Sequence, residues 1–365
     1  MAPTEEMQQL ETLDAKNQNQ QIEKPKKKRV WEIDFIRGVA ILGMVVDHGI
    51  WDLANLQSFF SNFYKVNIDW VNQMTFVLSN WYQNGRQYFH NLAFLFFIIT
   101  GISSTFSKNN WKHSLKIFLA SLILFVFTYG IYHITYALDP NGAFDFRICF
   151  GVLYALSVGC LVVSLIPTIC IQIEKLIQNI KAKCAERKNV AYEKKEIKSA
   201  PKYVKWIYLG LGIALICGWI IVTYTINYPN KGLKFNNFST FWYYFIRMND
   251  SAPYLTLVGP SETTDFWAKI FGVNFGDWCL SALGFKSLGS DYFSLMPWVG
   301  WTLIGAFLGK TIYAKKESLL PKLDGKWNKP FAYAGNKSLW IYIFHQPFWI
   351  VILAIVFLPM GYRFF

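Results

Sequence analysis

The chain has 365 residues, of which 53% are hydrophobic, 18% aromatic and only 16% charged, and it carries a formal net charge of +13. Soluble chains run at about 45–50% apolar and about 25% charged; here the apolar excess gathers into six uncharged runs of 18 residues or more, the length that crosses a bilayer. Those runs exclude a soluble enzyme and a nucleic-acid binder, and they make the positive charge a matter of membrane orientation rather than of phosphate binding.

Residues 1–29 are polar, rich in Gln, Glu and Lys, and end in the basic group Lys24, Lys26, Lys27, Lys28 and Arg29. With no short apolar core and no small-residue cleavage site they do not read as a cleavable signal. They bury too little apolar surface to offset their ordering entropy, which predicts a disordered cytosolic tail.

Seven spans follow in an all-α, polytopic transmembrane bundle: 33–53, 88–106, 117–138, 148–171, 206–226, 292–309 and 338–362. All but the first are free of Asp, Glu, Lys and Arg. A cytosolic amino terminus puts 26 of the Lys and Arg residues on the cytosolic side against nine on the other, with Arg37 inside the first span. That asymmetry fixes the orientation. The stretch 173–205 then reads as a basic, helical, cytosolic connector resting on anionic lipid. The outer loops 54–87 and 227–291 hold Trp70, Trp81, Trp242, Tyr243, Tyr244, Trp267 and Trp278. Aromatic rings favour the headgroup region, so these loops lie on the membrane and could roof an outer site; 227–291 is long enough to hide a re-entrant helix or two further crossings. Pro167, Pro297 and Pro347 fall within spans as expected kinks.

The first span is anomalous because Asp34, Arg37, Asp47, His48 and Asp52 lie in what must otherwise be an apolar helix. Ionisable groups in a span are costly unless they have a role. At 3.6 residues per turn, all of them except Asp47 share one face about 60° wide. Asp34 and Arg37 can pair near the cytosolic end, and His48 and Asp52, four apart, can pair near the outer end. A carboxylate that fixes an imidazole tautomer is the usual arrangement of a general base, and histidine suits it because it titrates near neutrality. The bland alternatives are a histidine bonded to a neighbouring helix and a snorkelling ion pair. His90 and His133 lie at a depth similar to that of His48, but no paired spacing such as HxxxH supports a metal, and none is expected. His345 sits in an apolar helix followed by Gln346 and Pro347, where packing and substrate contact are both open readings. The six cysteines contain no CxxC pair, so no metal ribbon or redox motif follows.

Several runs together resemble the bacterial membrane proteins related to the catalytic domain of heparan-alpha-glucosaminide N-acetyltransferase, over about residues 29 to 358. The strongest is RVWEIDFIRGVAILGMVVDH, in which Asp34, Arg37, Gly38 and His48 occupy the family's D-x-x-R-G and downstream polar positions. FFIITGISS at 96–104, FRICFGVLYALSV at 146–158, DYFSLMPWVGWTLIGAFLGK at 291–310 and GNKSLWIYIFHQP at 335–347 add weight. The resemblance implies that 30–365 form one membrane acyltransferase-like domain. It implies transfer of an acetyl or other acyl group from an acyl-CoA donor to an amine or hydroxyl of a sugar-like envelope acceptor, the two substrates arriving from opposite faces. His48 would be the base and Asp52 its partner. Asp34, Arg37, Arg147 and His345 would bind substrate. The setting would be the bacterial cytoplasmic membrane, with lipids as partners, no nucleic acid, and oligomerisation left open. Two departures are visible: Tyr154 stands where relatives have His or Gln, and the heparan enzyme's own catalytic histidine aligns near Ser79 or Asn80. Two rival classes are a proton- or ion-coupled carrier using the same intramembrane charges, and a non-catalytic scaffold. The absence of a convincing internal repeat disfavours the carrier.

Overall fold

A computed structural model describes residues 30–84, 93–107, 109–138, 146–197, 199–227 and 255–364. The tail 1–29, His90 and the part of the outer loop from 228 to 254 lie outside the described residues. Within the described residues all regular structure is helical. The helices are α1 (Trp31–Ala54), α2 (Leu56–Phe59), α3 (Phe63–Val66), α4 (Asp69–Asn84), α5 (Ala93–Phe106), α6 (Asn110–Leu138) and α7 (Val152–Arg187). They continue with α8 (Val204–Asn227), α9 (Phe266–Phe271), α10 (Phe275–Leu283), α11 (Trp298–Thr311), α12 (Lys329–Asn336) and α13 (Ser338–Phe357).

A helix lies at each predicted span. Four stretches, Asn110–Leu138, Val152–Arg187, Val204–Ile221 and Ser338–Met360, are long and apolar enough to cross a membrane. Within the described residues the α5 and α11 helices have 14 residues each, or about 21 Å of rise, less than the ~30 Å of a hydrocarbon core. At 24 residues α1 is long enough, but it carries the charged face described above. The 36 residues of α7 rise about 54 Å, so its basic end must project beyond the bilayer. The connector is helical only as far as Arg187; Lys188 caps the helix and Asn189 turns the chain with φ 53°.

Pro297 does not kink a span. It stands at the N-cap of α11, where a missing N–H costs nothing, and α11 therefore begins six residues later than the uncharged run. Between 255 and 291 there are only α9 and α10, of six and nine residues, capped by the side chains of Asp265 and Asn274 and closed by Gly272 and Gly284. Neither is long enough to cross.

The bundle is organised around α11, which packs on α5, α8 and α7, while α1 packs on α12, α4, α5 and α13. Lipid is as apolar as leucine, so helices in a bilayer associate through close packing and hydrogen bonds rather than through water exclusion. Two crossings show this. A Cβ on Gly38 would fall 1.8 Å from the Phe331 carbonyl oxygen, and one on Gly335 would fall 2.0 Å from the Asp34 carbonyl oxygen, so α1 and α12 touch backbone to backbone. Gly101 and Gly305 do the same for α5 and α11, against the carbonyls of Thr302 and Ile98 at 2.0 and 2.1 Å. The central core beside these crossings is aromatic, with Phe97, Trp219 and Trp298 fully buried.

Candidate active site between α1 and α13

Helix α13 reads SLWIYIFHQPFWIVILAIVF, with mean composition so apolar that its polar residues stand out. Tyr342, His345 and Gln346 follow an i, i+3, i+4 spacing and share one face. That face meets α1 at His48. The Trp349 indole donates to the Val45 carbonyl oxygen at 2.9 Å and lies over Gly49, where a Cβ would come 2.1 Å from its ring. This lock sets the register, placing His345 and Gln346 beside His48.

The two imidazoles meet edge to face, 4.8 Å between ring centroids and 90° between planes. His345 is buried, and its Nδ1 lies 2.5 Å from the Tyr342 carbonyl oxygen. A carbonyl can only accept, so Nδ1 carries the proton and Nε2 holds the lone pair. That Nε2 is enclosed and has no hydrogen-bond partner among the described residues. His48 Nδ1 lies 3.2 Å from the Gln346 side-chain nitrogen. An amide NH2 can only donate, so neutral His48 carries its proton on Nε2. The pair thus sets the bare Nε2 of His345 beside a neutral His48 whose proton is on Nε2.

The expected hydrogen bond between His48 and Asp52 is not made. Asp52 is fully buried at 0% exposure, neither of its carboxylate oxygens completes a hydrogen bond, and Gln346 approaches it without reaching full hydrogen-bond geometry. Gln346 has taken the place on the imidazole that the i, i+4 spacing reserved for Asp52. A spacing within one helix could not show a side chain arriving from 298 residues away.

Asp34 and Arg37 do pair, at 3.0 Å, and the Arg37 guanidinium also donates to the Ser103 hydroxyl of α5 at 2.5 Å. His113, at the start of α6, stands close enough to feel the Arg37 charge. These groups form a second polar cluster, 11 residues and about 16 Å of helix rise from His48. Arg147 belongs to neither cluster in the sense expected of a vestibule residue. It is 1% exposed, its guanidinium stacks 3.8 Å over the Tyr132 ring of α6, and Ser290 N–H donates to its carbonyl oxygen at 2.9 Å. It staples α6 to the 255–291 segment. Tyr154 packs in the same region, against Phe150.

One residue invisible as a site residue in the sequence is Asp291, in the turn before α11. It accepts a hydrogen bond from the Tyr342 hydroxyl, and the backbone N–H of Val152, the first residue of α7, stands close enough to favour its charged form. Part of its surface stays accessible, yet the carboxylate is ringed by protein, and that desolvation pushes its pKa up to about 6 against the Tyr342 hydroxyl and the nearby Val152 N–H. The sequence signals were its position as the carboxylate bordering the uncharged run 292–309 and as the first residue of the run 291–310. Among the described residues no group of three or more His, Cys, Asp or Glu side chains is arranged to hold a metal ion.

A family model described as heparan-alpha-glucosaminide N-acetyltransferase, catalytic, matches residues 29–178 and 205–347. The chain belongs to this family. The match runs from α1 into α13, ending at Pro347, so it includes every polar residue of the two clusters, and its gap falls on the end of α7 and the basic connector. Membership in this acetyltransferase family implies a membrane protein with an acyltransferase-like function. No curated protein and no solved structure gives a significant match.

Proposed function

We propose that the protein transfers an acyl group, acetyl in the simplest case, from acyl-CoA to an amine or hydroxyl of a sugar-like envelope acceptor, and that the chemistry occurs at the His48–His345 pair. The observation that carries this is the buried His345 with its Nδ1 proton committed to a carbonyl and its Nε2 bare. A general base needs that state before the reaction starts. The acceptor's nitrogen or oxygen attacks the thioester carbonyl carbon, forming the new C–N or C–O bond, and its proton passes to His345 Nε2. The Nε2–H of His48 donates to the oxyanion that develops on the carbonyl, a role whose value comes from being fixed in advance by Gln346. Collapse breaks the C–S bond, and the coenzyme A thiolate leaves with the proton from His345.

The second cluster suits the donor. Arg37, oriented by Asp34 and Ser103, presents a guanidinium to phosphate at the end of α1 that the charge asymmetry assigns to the cytosol. The ~16 Å between it and His48 is a span for an extended donor arm lying along α1. Asp52 is buried beside Gln346, and its unsatisfied carboxylate is suited to an N–H or O–H that enters the site.

The test is coenzyme A release by detergent-purified protein given acetyl-CoA and a panel of amino-sugar and hydroxyl acceptors, with acetyl-CoA binding measured in parallel. His345→Ala should lose roughly 10²–10⁴ in acceptor-dependent turnover and His48→Ala roughly 10²–10³, both with donor binding retained. Normal turnover by His345→Ala overturns the assignment of the base. A folded wild type that binds neither acetyl-CoA nor other acyl-CoA donors favours the carrier instead.

A further inference from the structure

His345 is set as a base by a bond to a main-chain carbonyl of its own helix, and such a bond is only as well placed as the turn that bears it. That turn is a weak one. Pro347 has no N–H to offer the Ile343 carbonyl and its ring crowds the same group, so the stretch from Tyr342 to Gln346 lacks part of the ladder that would hold its carbonyls on axis. Something outside α13 must hold it.

We propose that Asp291 is that support: a positioning residue that anchors Tyr342 through its hydroxyl, so that the Tyr342 carbonyl keeps the Nδ1 proton of His345 and leaves Nε2 aimed at the reacting centre. Asp291 is itself pinned from three directions. Ser290 N–H donates to the Arg147 carbonyl at 2.9 Å, and Phe293 N–H donates to the Phe150 carbonyl at 2.5 Å, so its turn is clamped on both sides to the segment leading into α7. Its carboxylate stands beside the Val152 N–H at the start of α7, where Gly151, lacking any side chain, supplies no cap. The Oδ2 atom lies 3.4 Å from where a Gly151 Cβ would stand, an ordinary contact distance, so the carboxylate packs directly on the start of α7. Asp291 also holds φ at 48°, a left-handed conformation uncommon for a residue with a Cβ, and such conformations persist where surrounding contacts over-determine them. One side chain therefore ties the α7 N-terminus, the turn before α11 and the α13 turn that orients His345.

The catalytic half of this inference rests on His345 being the base; the positional half does not, and the experiment separates them. Protein labelled with ¹⁵N-histidine contains five histidines, and the His345 signals are identified by their loss in His345→Gln. Wild type should show a protonated Nδ1 and a bare Nε2 at His345. Tyr342→Phe, which removes only the hydroxyl, and Asp291→Ala should both give mixed tautomers there, while Asp291→Asn, whose side-chain oxygen still accepts, should keep the wild-type signature. In turnover, Tyr342→Phe and Asp291→Ala should each lower kcat roughly 10- to 100-fold, as expected when a reacting group is misplaced by about 1 Å, with KM for acetyl-CoA unchanged. Because the two act through one bond, the double variant should lose no more than Asp291→Ala alone. An unchanged His345 tautomer in both Tyr342→Phe and Asp291→Ala overturns the inference, whatever the activity. Altered tautomers in a protein whose His345→Ala variant turns over normally leave Asp291 as the support of Tyr342 and sink the assignment of the base.

Discussion

The Gly38 of the D-x-x-R-G run sits beside Arg37, and its function in this structure is packing. An added methyl group would lie 1.8 Å from the Phe331 carbonyl oxygen and 3.1 Å from the Gly335 nitrogen. A carbon sits no closer than about 3.3 Å to a carbonyl oxygen in ordinary contacts, so Gly38→Ala must push α1 and α12 apart by roughly 1.5 Å. Both obstacles are backbone, which cannot rotate away as a side chain can. Overpacking of this kind costs about 1–3 kcal/mol, and the upper end applies here. Gly43, five residues on in the same helix, has nothing within 4 Å of an added Cβ. Gly43→Ala should therefore gain the ordinary helix advantage of alanine, about 0.5–1 kcal/mol. The same substitution on the same helix is expected to give opposite signs, with a gap of nearly 4 kcal/mol from those two terms. Thermal unfolding of each variant in one detergent, followed through tryptophan fluorescence, reads the difference as a lowered Tm for Gly38→Ala and an unchanged or raised one for Gly43→Ala. If the two midpoints move together, or Gly38→Ala unfolds with the wild type, the backbone contact between α1 and α12 does not exist as described.

Two further outcomes follow from the topology and from Asp291. Cys184 is exposed near the projecting basic end of α7; as the sole cysteine it should react with a membrane-impermeant maleimide only when the cytosolic face is opened, and labelling in intact spheroplasts would reverse the orientation. The pKa of Asp291 is raised to about 6 from the ordinary 3.8, so the folded state prefers its protonated form. That preference contributes stability fully below about pH 4 and loses it as the pH rises through about 6. The Tm of wild type relative to Asp291→Asn should accordingly fall between pH 4 and pH 7, and a flat or rising difference would show that the carboxylate is well solvated.

The local and compositional features were legible in the sequence. Uncharged runs of span length, a polar stripe on α1 and a His-Gln pair in α13 are one-dimensional patterns, because composition and helical periodicity are read along the chain without reference to anything else. Gly38 and Gly305 were visible only as small residues in motifs. Their need to be glycine lay in which carbonyls they face. Likewise Pro297 was correctly placed in an apolar run, but its position at the head of α11 depended on where that helix could dock.

The sequence by itself determined a helical membrane protein with ionisable groups embedded on one face of its first long helix, since transfer of charge out of water is too costly to be accidental and the 3.6-residue repeat fixes which groups share a face. Only the tertiary structure decided what those groups do to one another. The rotation of α13 against α1 gave His48 a glutamine rather than an aspartate, the Tyr342 carbonyl one turn back gave His345 its tautomer, and a turn more than fifty residues upstream of His345 gave Tyr342 its anchor. Such bonds act over about 3 Å between residues up to three hundred positions apart, and no spacing along a single chain encodes that approach.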